Sequence, residues 1–283
     1  MNLIKCIMRQ SSCYKGTTVG RPVGVLWHDA GSGNPELRRY AQPDDNVPDR
    51  AELLVNIGRN LYANDWNHIV TDVGVNAFIG KLADGSIATV QALPWDYRPW
   101  GCGSGKYGSC NGNKNVDNSP FWIQFEICDD GYKDAAYFKK VYQEACELTA
   151  YLCKLFEIDP NGTVKYNGVT VPTILCHEDS HKLGLGSNHG DVLTWFKKMG
   201  KTMADVRKDV KRIIEEENEM RYEKLKDLKA DQYKAPYYLP TIEKLMEKGI
   251  LRGKGGEGDD TILDLGEDAV RILVMLDREG VFG

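Results

Sequence analysis

The sequence contains no apolar run long enough to cross a membrane, and its first residues, MNLIKCIMRQSSCYKG, hold no hydrophobic stretch of the length that a signal peptide needs. We therefore expect a protein that is made in the cytoplasm and that reaches a substrate outside the cell only after something else releases it. The formal net charge is −5, without a concentrated basic segment, which argues against nucleic acid as a partner.

Zinc-ribbon spacings are also missing. The eight cysteines are scattered along the chain at Cys6, Cys13, Cys102, Cys110, Cys128, Cys146, Cys153 and Cys176. Because the chain shows no export signal, we expect these thiols to be reduced and mostly buried. Histidine is scarce, but three of the five histidines fall in the short stretch CHEDSHKLGLGSNHGD at residues 176–191. That concentration marks the stretch as a candidate metal site.

The composition otherwise has no strong bias. Hydrophobic residues make up 42% and charged residues 27% of the chain, as in an ordinary soluble globular protein. A chain of 283 residues is long enough for one domain with a full core and a smaller module. We predict a main domain over 1–200, a charged helical linker over 201–235 and a small helical module over 236–283.

Short strands and helices alternate through the first 200 residues. Apolar and β-branched runs predict strands at 22–28, 66–70, 78–80, 87–93, 121–127 and 169–175. Capping signals and helical spacing predict helices at 34–42, 50–62 and 133–157. The last helix is long and amphipathic, so we expect it to cover one face of a sheet. This pattern predicts the α/β class.

Two features in the middle of the chain point to a site. Residues 95–119 are rich in Gly, Asn and Trp and show no period, which is typical of a long functional loop beside a cleft. Three residues of this loop are candidate substrate contacts: Trp95, Trp100 and Asn118. Glu126 lies inside the otherwise apolar strand 121–127, where a charged residue needs a reason. It could pair with a buried Lys or Arg, or it could act as a general base.

After residue 200 the composition changes. Between 201 and 231, 18 of 31 residues are charged. Apolar residues recur there with nearly heptad spacing at Met203, Val206, Val210, Ile213 and Met220. We favour a solvated linker helix over a short coiled coil that pairs subunits, because Glu217 and Lys224 interrupt the apolar stripe. Residues 236–283 predict two short helices with a thin core, so this module should dock on the main domain or self-associate. A homo-oligomer formed through residues 201–283 stays open.

Residues 177–181, HEDSH, match the H-E-x-x-H motif of zinc peptidases, in which two histidines one helical turn apart bind zinc. The longer form of the motif fails, because Ser187 stands where its third histidine belongs. Residues 167–173, NGVTVPT, favour a strand instead of the helix that the motif requires. A zinc peptidase using His177, Glu178 and His181 is therefore the alternative hypothesis.

His28 and His177 each stand at the end of a predicted buried strand, so two strand ends can face one metal ion. Zinc used in catalysis takes three protein ligands and keeps one position open. His189 and Asp191 lie on a short loop after His177. From the residues alone, either could be the third ligand.

At this point the chain resembles a known family. Four segments are similar in order and spacing to type-2 N-acetylmuramoyl-L-alanine amidases: residues 25–31 (VLWHDAG), 66–70 (WNHIV), 118–126 and 175–177 (LCH). These zinc amidases are related to peptidoglycan recognition proteins and are common in bacteriophage endolysins. The resemblance covers residues 20–200. It implies a mixed central β-sheet flanked by helices, with Zn²⁺ in an open groove that accepts the glycan and its stem peptide.

Carried over residue by residue, the resemblance implies zinc ligands at His28, His177 and Asp191. It implies a catalytic acid at Glu126, near the end of the central strand. It also implies a catalytic role for His189, two positions before Asp191, where the family usually has lysine.

The sequence departs from the family pattern in the loop between His177 and Asp191, which is longer than usual. His189 or His181 could therefore take the place of Asp191 on the metal. His68 matches a histidine that the family places beside the site but not on the ion, which implies a contact in the second shell of ligands.

Residues 237–271 loosely resemble one S-layer-homology repeat, which implies attachment to a cell-wall polymer. Together the two resemblances imply a bacteriophage or prophage endolysin, made in the host bacterial cytoplasm, that acts on peptidoglycan after release. It would hydrolyse the amide between N-acetylmuramic acid and L-alanine of the muramyl peptide with zinc-activated water. A module that binds peptidoglycan without cutting it is the alternative from a different class, and the intact set of ligands argues against it.

Overall fold

A computed structural model describes residues 1–219 and 221–283. The chain divides into two compact units, Met1–Lys211 and Arg212–Gly283. No helix within the described ranges is long and apolar enough to span a bilayer.

A six-stranded mixed sheet forms the centre of the first unit. Its strands are β1 (Leu3–Lys5), β2 (Arg21–Asp29), β3 (Ala77–Lys81), β4 (Ile87–Gln91), β5 (Pro120–Ile127) and β8 (Ile174–Cys176). Their order across the sheet is β1-β4-β3-β5-β2-β8. Strands β3, β5, β2 and β8 run parallel, while β4 is antiparallel to β3 and parallel to β1. The prediction of an α/β fold with a mixed sheet is confirmed.

The adjacent strands β5 and β2 show that the sheet is buried on both faces. Residues 23–29 of β2 and 121–127 of β5 are all buried. Strands covered on both sides need nearly continuous apolar sequence, which these segments have. Trp27 and Phe125 are fully buried neighbours in this core, with ring centroids 5.1 Å apart.

Five helices and a small hairpin accompany the sheet. The helices are α1 (Ser12–Gly16), α2 (Arg50–Ile57), α3 (Ala135–Leu155), α4 (His177–Lys182) and α5 (Val192–Met199). The hairpin pairs β6 (Thr163–Tyr166) with β7 (Val169–Pro172). Asp134 caps α3 by accepting hydrogen bonds from the backbone N–H groups of Ala136 and Tyr137. The predicted long amphipathic helix is therefore present, with one face buried. All eight cysteines are buried and free, as expected.

Several predicted elements are wrong in detail. The segment 34–42 forms only a short 3-10 helix at Leu37–Arg39, and the predicted helix 50–62 ends at Ile57. Residues 66–70 form a turn instead of a strand. The predicted strand 169–175 is two strands, β7 and β8. Strand β1 was not foreseen.

The charged segment after residue 200 is not one continuous helix. Helix α6 (Met203–Glu219) is followed by strand β9 (Arg221–Lys224) and helix α7 (Leu225–Ala230). The first four apolar positions of the predicted stripe are buried: Met203, Val206, Val210 and Ile213. Within the first unit, Asp209 accepts a hydrogen bond from the Tyr142 hydroxyl at 2.8 Å. The start of α6 is therefore packed and not a solvated linker. Met220 and the side chain of Glu217 lie outside the described residues.

The second unit contains more than the two helices predicted for it. Strand β9 pairs antiparallel with β10 (Ile262–Gly266). Helices α8 (Ala235–Glu247) and α9 (Glu267–Arg278) complete the unit with α7. Its core contains seven buried residues: Tyr222, Leu225, Leu228, Ile242, Leu263, Val270 and Val274. The core is small, as the sequence indicates.

Candidate metal centre

The candidate metal centre lies at one edge of the central sheet, where the carboxyl ends of parallel strands meet. On β2, His28 lies opposite Glu126 of β5, and Trp27 lies opposite Cys176 of β8. His177 follows Cys176 as the first residue of α4, and not as the last residue of a strand as predicted. The sheet therefore brings together side chains that are far apart in the sequence.

His28, His177 and Asp191 form the one cluster, among residues that the structure describes, in which three His, Cys, Asp or Glu side chains could share an ion. The Oδ2 atom of Asp191 lies 2.7 Å from Nδ1 of His28 and 2.8 Å from Nδ1 of His177. The two imidazole rings meet edge to face with centroids 4.8 Å apart, and both histidines are buried. Both rings thus present Nδ1 to one carboxylate oxygen.

Hydrogen bonds hold the opposite nitrogens of the two rings. The amide nitrogen of Gln124 donates to Oδ1 of Asn111 at 2.8 Å, so its Oε1 atom accepts from Nε2–H of His28 at 3.0 Å. The Ser187 hydroxyl donates to a backbone carbonyl at 3.3 Å and accepts from Nε2–H of His177 at 3.1 Å. These bonds place the proton of each neutral ring on Nε2, which leaves both Nδ1 atoms with free lone pairs.

This arrangement of donor atoms fits zinc. Two nitrogen lone pairs and a carboxylate oxygen this close together repel one another unless a cation lies among them. Two imidazoles and one carboxylate are a known ligand set for catalytic zinc. Burial alone would raise the pKa of Asp191, but the adjacent imidazole rings of His177 and His28 hold that pKa well below its usual range. Asp191 is therefore ionised and able to bind a cation.

Glu126 lines the same cleft from β5. Its Oε2 atom is buried and has no hydrogen-bond partner. Burial, followed by the charges of Asp191, Asp29 and Asp129, raises the pKa of Glu126 well above its ordinary value. No Lys or Arg is among the groups that shift it, so an ion pair does not explain its burial. A carboxylate in this setting is a strong proton acceptor.

His189 lies beside the centre without joining the cluster. Its ring stacks on His177, with centroids 4.8 Å apart and an interplanar angle of 18°. It lines the cleft, as Ser187 and Asp191 do. The structure therefore places Asp191 with the two buried histidines and His189 next to them.

The cleft over this centre has a volume of about 680 Å³. Its walls include Trp66, Trp100 and Tyr132. Trp100 also lines a neighbouring cavity of about 490 Å³ that is rich in Asn and Ser side chains. Of the predicted substrate contacts, only Trp100 reaches the cleft. Trp95 and Asn118 line neither cavity.

Two other predicted residues lie elsewhere. The Nδ1 atom of His68 is 2.7 Å from Asp65, and His68 is not among the residues that line the cleft. His181 is exposed and contacts the Gly186 carbonyl at 3.3 Å, while Glu178 pairs with Lys182. Among the described residues, Glu178 and His181 are therefore not part of the cluster that contains His177, and the zinc-peptidase alternative is wrong.

Sequence reasoning missed Gln124 and Ser187, which bind the outer nitrogens of the histidine pair. A signal for Gln124 existed, because it lies two residues before Glu126 and so faces the same side of β5. Gly101 packs against the hydrogen bond between Gln124 and His28. A Cβ atom at Gly101 would lie 2.4 Å from Oε1 of Gln124 and 3.3 Å from Nε2 of His28, so only glycine fits there.

Several known proteins are similar to this chain. Solved structures similar to the chain include the hydrolase AmiA of Staphylococcus aureus in complex with its ligand, at 18% identity and a TM-score of 0.45, covering 75% of this chain and 82% of that one. Another is PlyL, at 14% identity and a TM-score of 0.41, covering 74% and 96%. A third is the catalytic domain of PlyG, at 13% identity and a TM-score of 0.42, covering 76% and 96%. No curated protein matches the chain.

The family comparison is more decisive, because it matches residues 19–190, well over half of the chain. That range includes His28, Glu126, His177 and His189, and it stops one residue before Asp191. The chain belongs to the N-acetylmuramoyl-L-alanine amidase family Amidase_2.

Proposed function

We propose that the protein is a zinc-dependent amidase that cleaves the bond between the lactyl group of N-acetylmuramic acid and L-alanine in bacterial peptidoglycan. The observation that carries the proposal is the convergence of the two Nδ1 atoms on one oxygen of Asp191, beside a buried carboxylate and inside an open cleft. Membership of the amidase family supports the choice of substrate.

His28, His177 and Asp191 would hold the zinc ion. When bound, zinc would polarise the scissile carbonyl and activate water for attack. The bonds from His28 to Gln124 and from His177 to Ser187 fix both rings with Nδ1 toward Asp191, where the ion would bind.

Glu126 would act as the general base and then as the general acid. It would take a proton from the attacking water and pass it to the amide nitrogen of L-alanine as that group leaves. Its burial without a basic partner supports this role, because a raised pKa makes the carboxylate a better proton acceptor. His189 would donate a hydrogen bond to the oxygen that gains negative charge during the attack.

The alternative of a module that only binds peptidoglycan predicts a different result. Purified cell walls treated with the amidase release free amino groups without new reducing ends, whereas a binding module releases neither.

Glu126→Ala tests the catalytic assignment. Turnover should fall by roughly 10²- to 10⁴-fold while bound zinc stays at the wild-type level. Glu52→Ala, on the exposed surface of α2, is the matched control and should keep full turnover. Normal turnover in Glu126→Ala would remove Glu126 from the mechanism.

We also propose that the protein acts as an endolysin whose second unit binds a wall polymer. The resemblance of residues 237–271 to a wall-binding repeat supports this proposal. Cells that express the chain should stay intact until their membrane is permeabilised and should then lyse. The protein should also sediment with purified walls, and Tyr237→Ala, at a 64% exposed site in the second unit, should weaken that sedimentation.

A further inference from the structure

Tyr132 occupies a position in the cleft that the amidase mechanism above does not use. It lines the cleft together with Glu126, His189 and Asp191. Its hydroxyl donates to both carboxylate oxygens of Asp29, at 3.0 and 3.2 Å. Asp29 also lines the cleft and is only 6% exposed. The phenol is therefore fixed in the wall of the site.

The backbone at Tyr132 is strained. Its φ angle is +61°, a left-handed conformation that is a genuine outlier for a bulky side chain. The preceding turn holds this conformation, because Asp129 accepts from the N–H of Gly131 at 2.9 Å and Asp130 accepts from that of Lys133 at 3.1 Å. Strain of this kind persists where the surroundings over-determine it, often at ligand-binding sites.

Packing fixes the ring as well as the backbone. The Tyr132 ring lies against the fully buried Trp195, with centroids 5.4 Å apart. Trp195 belongs to α5, which follows Asp191 directly. Tyr132 is thus held by Asp29, the residue after His28, and by α5, the helix that follows Asp191.

The hydrogen bonds to Asp29 leave the Tyr132 hydroxyl only the role of an acceptor. A tyrosine hydroxyl has a single hydrogen, and Asp29 accepts it, so the oxygen can only accept a further hydrogen bond. A group that approaches it must therefore carry an N–H or O–H. Muramyl peptides offer both, as amide N–H groups in the stem peptide and hydroxyls on the sugar.

We infer that Tyr132 is a substrate-positioning residue whose phenolic oxygen, held by Asp29, accepts a hydrogen bond from an N–H or O–H group of the muramyl peptide. This inference rests on the proposed amidase function. The residue orients the substrate in the cleft and does not exchange protons with the reacting atoms.

Tyr132→Phe removes the phenolic oxygen and keeps the ring on Trp195. With a soluble muramoyl-L-alanyl peptide as substrate, KM should rise about two- to tenfold, the loss expected for one neutral hydrogen bond, while kcat stays within about twofold. Zinc content and melting temperature should match the wild type. Tyr62→Phe, at an 85% exposed site outside the cleft, is the matched control and should change neither constant.

Competition separates the two sources of the hydrogen bond. N-acetylmuramic acid and the free L-alanyl stem peptide are each used as inhibitors of the wild type and of Tyr132→Phe. If the bond comes from the peptide, only the inhibition constant of the peptide should rise in the variant, and the reverse pattern assigns the bond to the sugar.

An unchanged KM in Tyr132→Phe, or a fall in kcat at constant KM, overturns the inference while leaving the amidase function intact. If the wild type fails to cut the substrate, the amidase function falls. Calorimetric binding of the same muramoyl-L-alanyl peptide then decides the role of Tyr132. Weaker binding to Tyr132→Phe supports the inference, and equal or absent binding refutes it.

Discussion

Gln124 offers a sharp test of how the candidate metal centre is built, because it touches His28 and is not one of the three residues that would hold the ion. Its Oε1 atom accepts from Nε2–H of His28 at 3.0 Å, and its amide nitrogen donates to Asn111 at 2.8 Å. Gln124→Leu keeps the size of the side chain but removes the acceptor. His28 is then left with a buried N–H without a partner and with no bond that fixes which nitrogen faces the metal.

Loss of such an outer partner typically weakens metal binding by 10- to 100-fold. This corresponds to about 1.4 to 2.7 kcal/mol of binding free energy at 25 °C. We expect the zinc dissociation constant of Gln124→Leu to rise within that range. The structure favours the upper half, because Gln124 is fully buried and water cannot replace its oxygen.

The assay is competition for zinc between the protein and a chelating indicator of known affinity, at fixed pH. Gln143→Leu, at an exposed position of α3, is the matched control and should leave the zinc affinity unchanged. If Gln124→Leu binds zinc as tightly as the wild type and is folded, the hydrogen bond does not orient His28, and the tautomer argument fails.

Three further predictions concern catalysis, pH and the core. His189→Ala should keep its zinc but lose roughly 10²- to 10³-fold in turnover, the cost of one donor to a developing oxyanion, measured on purified cell walls. Glu126→Gln should melt at a higher temperature than the wild type at pH 8 in zinc-free buffer. The pKa of Glu126 is raised by burial above the unfolded value of about 4.3, so ionisation costs stability as the pH rises past that value, and the difference should vanish below about pH 4. Phe125→Ala should lower the free energy of unfolding by about 3–5 kcal/mol in denaturant titrations, since it empties a fully buried position.

The parts of the fold with strong periodic patterns could be predicted from the sequence. β2 and β5 are nearly continuous apolar runs, and α3 repeats its buried residues at helical spacing with a capping aspartate before it. These patterns arise because β2 and β5 are buried on both faces and α3 on one face. The spacing of apolar residues along the sequence indicates such burial directly.

Elements that depend on individual hydrogen bonds were predicted wrongly. The residues around Trp66 have a strand-like composition, but Asp65 accepts from the N–H groups of Asn67 and His68 and closes a turn. The predicted helix after Asn34 is replaced because the Pro35 carbonyl accepts from Lys81 of β3 at 2.8 Å. The sequence does not show that this carbonyl bonds to a strand of the sheet, because Lys81 is far from Pro35 along the chain.

The candidate site could be predicted where the family pattern and the strand ends coincide. His28, His177 and Glu126 lie at the carboxyl edge of parallel strands, which the order of segments implied. The sequence could not decide whether His189 or Asp191 lies with His28 and His177, because both residues are on the same loop and the spacing of the motif is compatible with either. The roles of Gln124, Ser187 and Tyr132 depend on distances that no sequence spacing fixes.

The central claim is that His28, His177 and Asp191 jointly hold one zinc ion. Elemental analysis of the purified protein and its single alanine variants tests it most directly. We predict one zinc per chain in the wild type and in His189→Ala, and loss of most of the zinc in His28→Ala, His177→Ala and Asp191→Ala. Full zinc content in His28→Ala or His177→Ala would contradict the account.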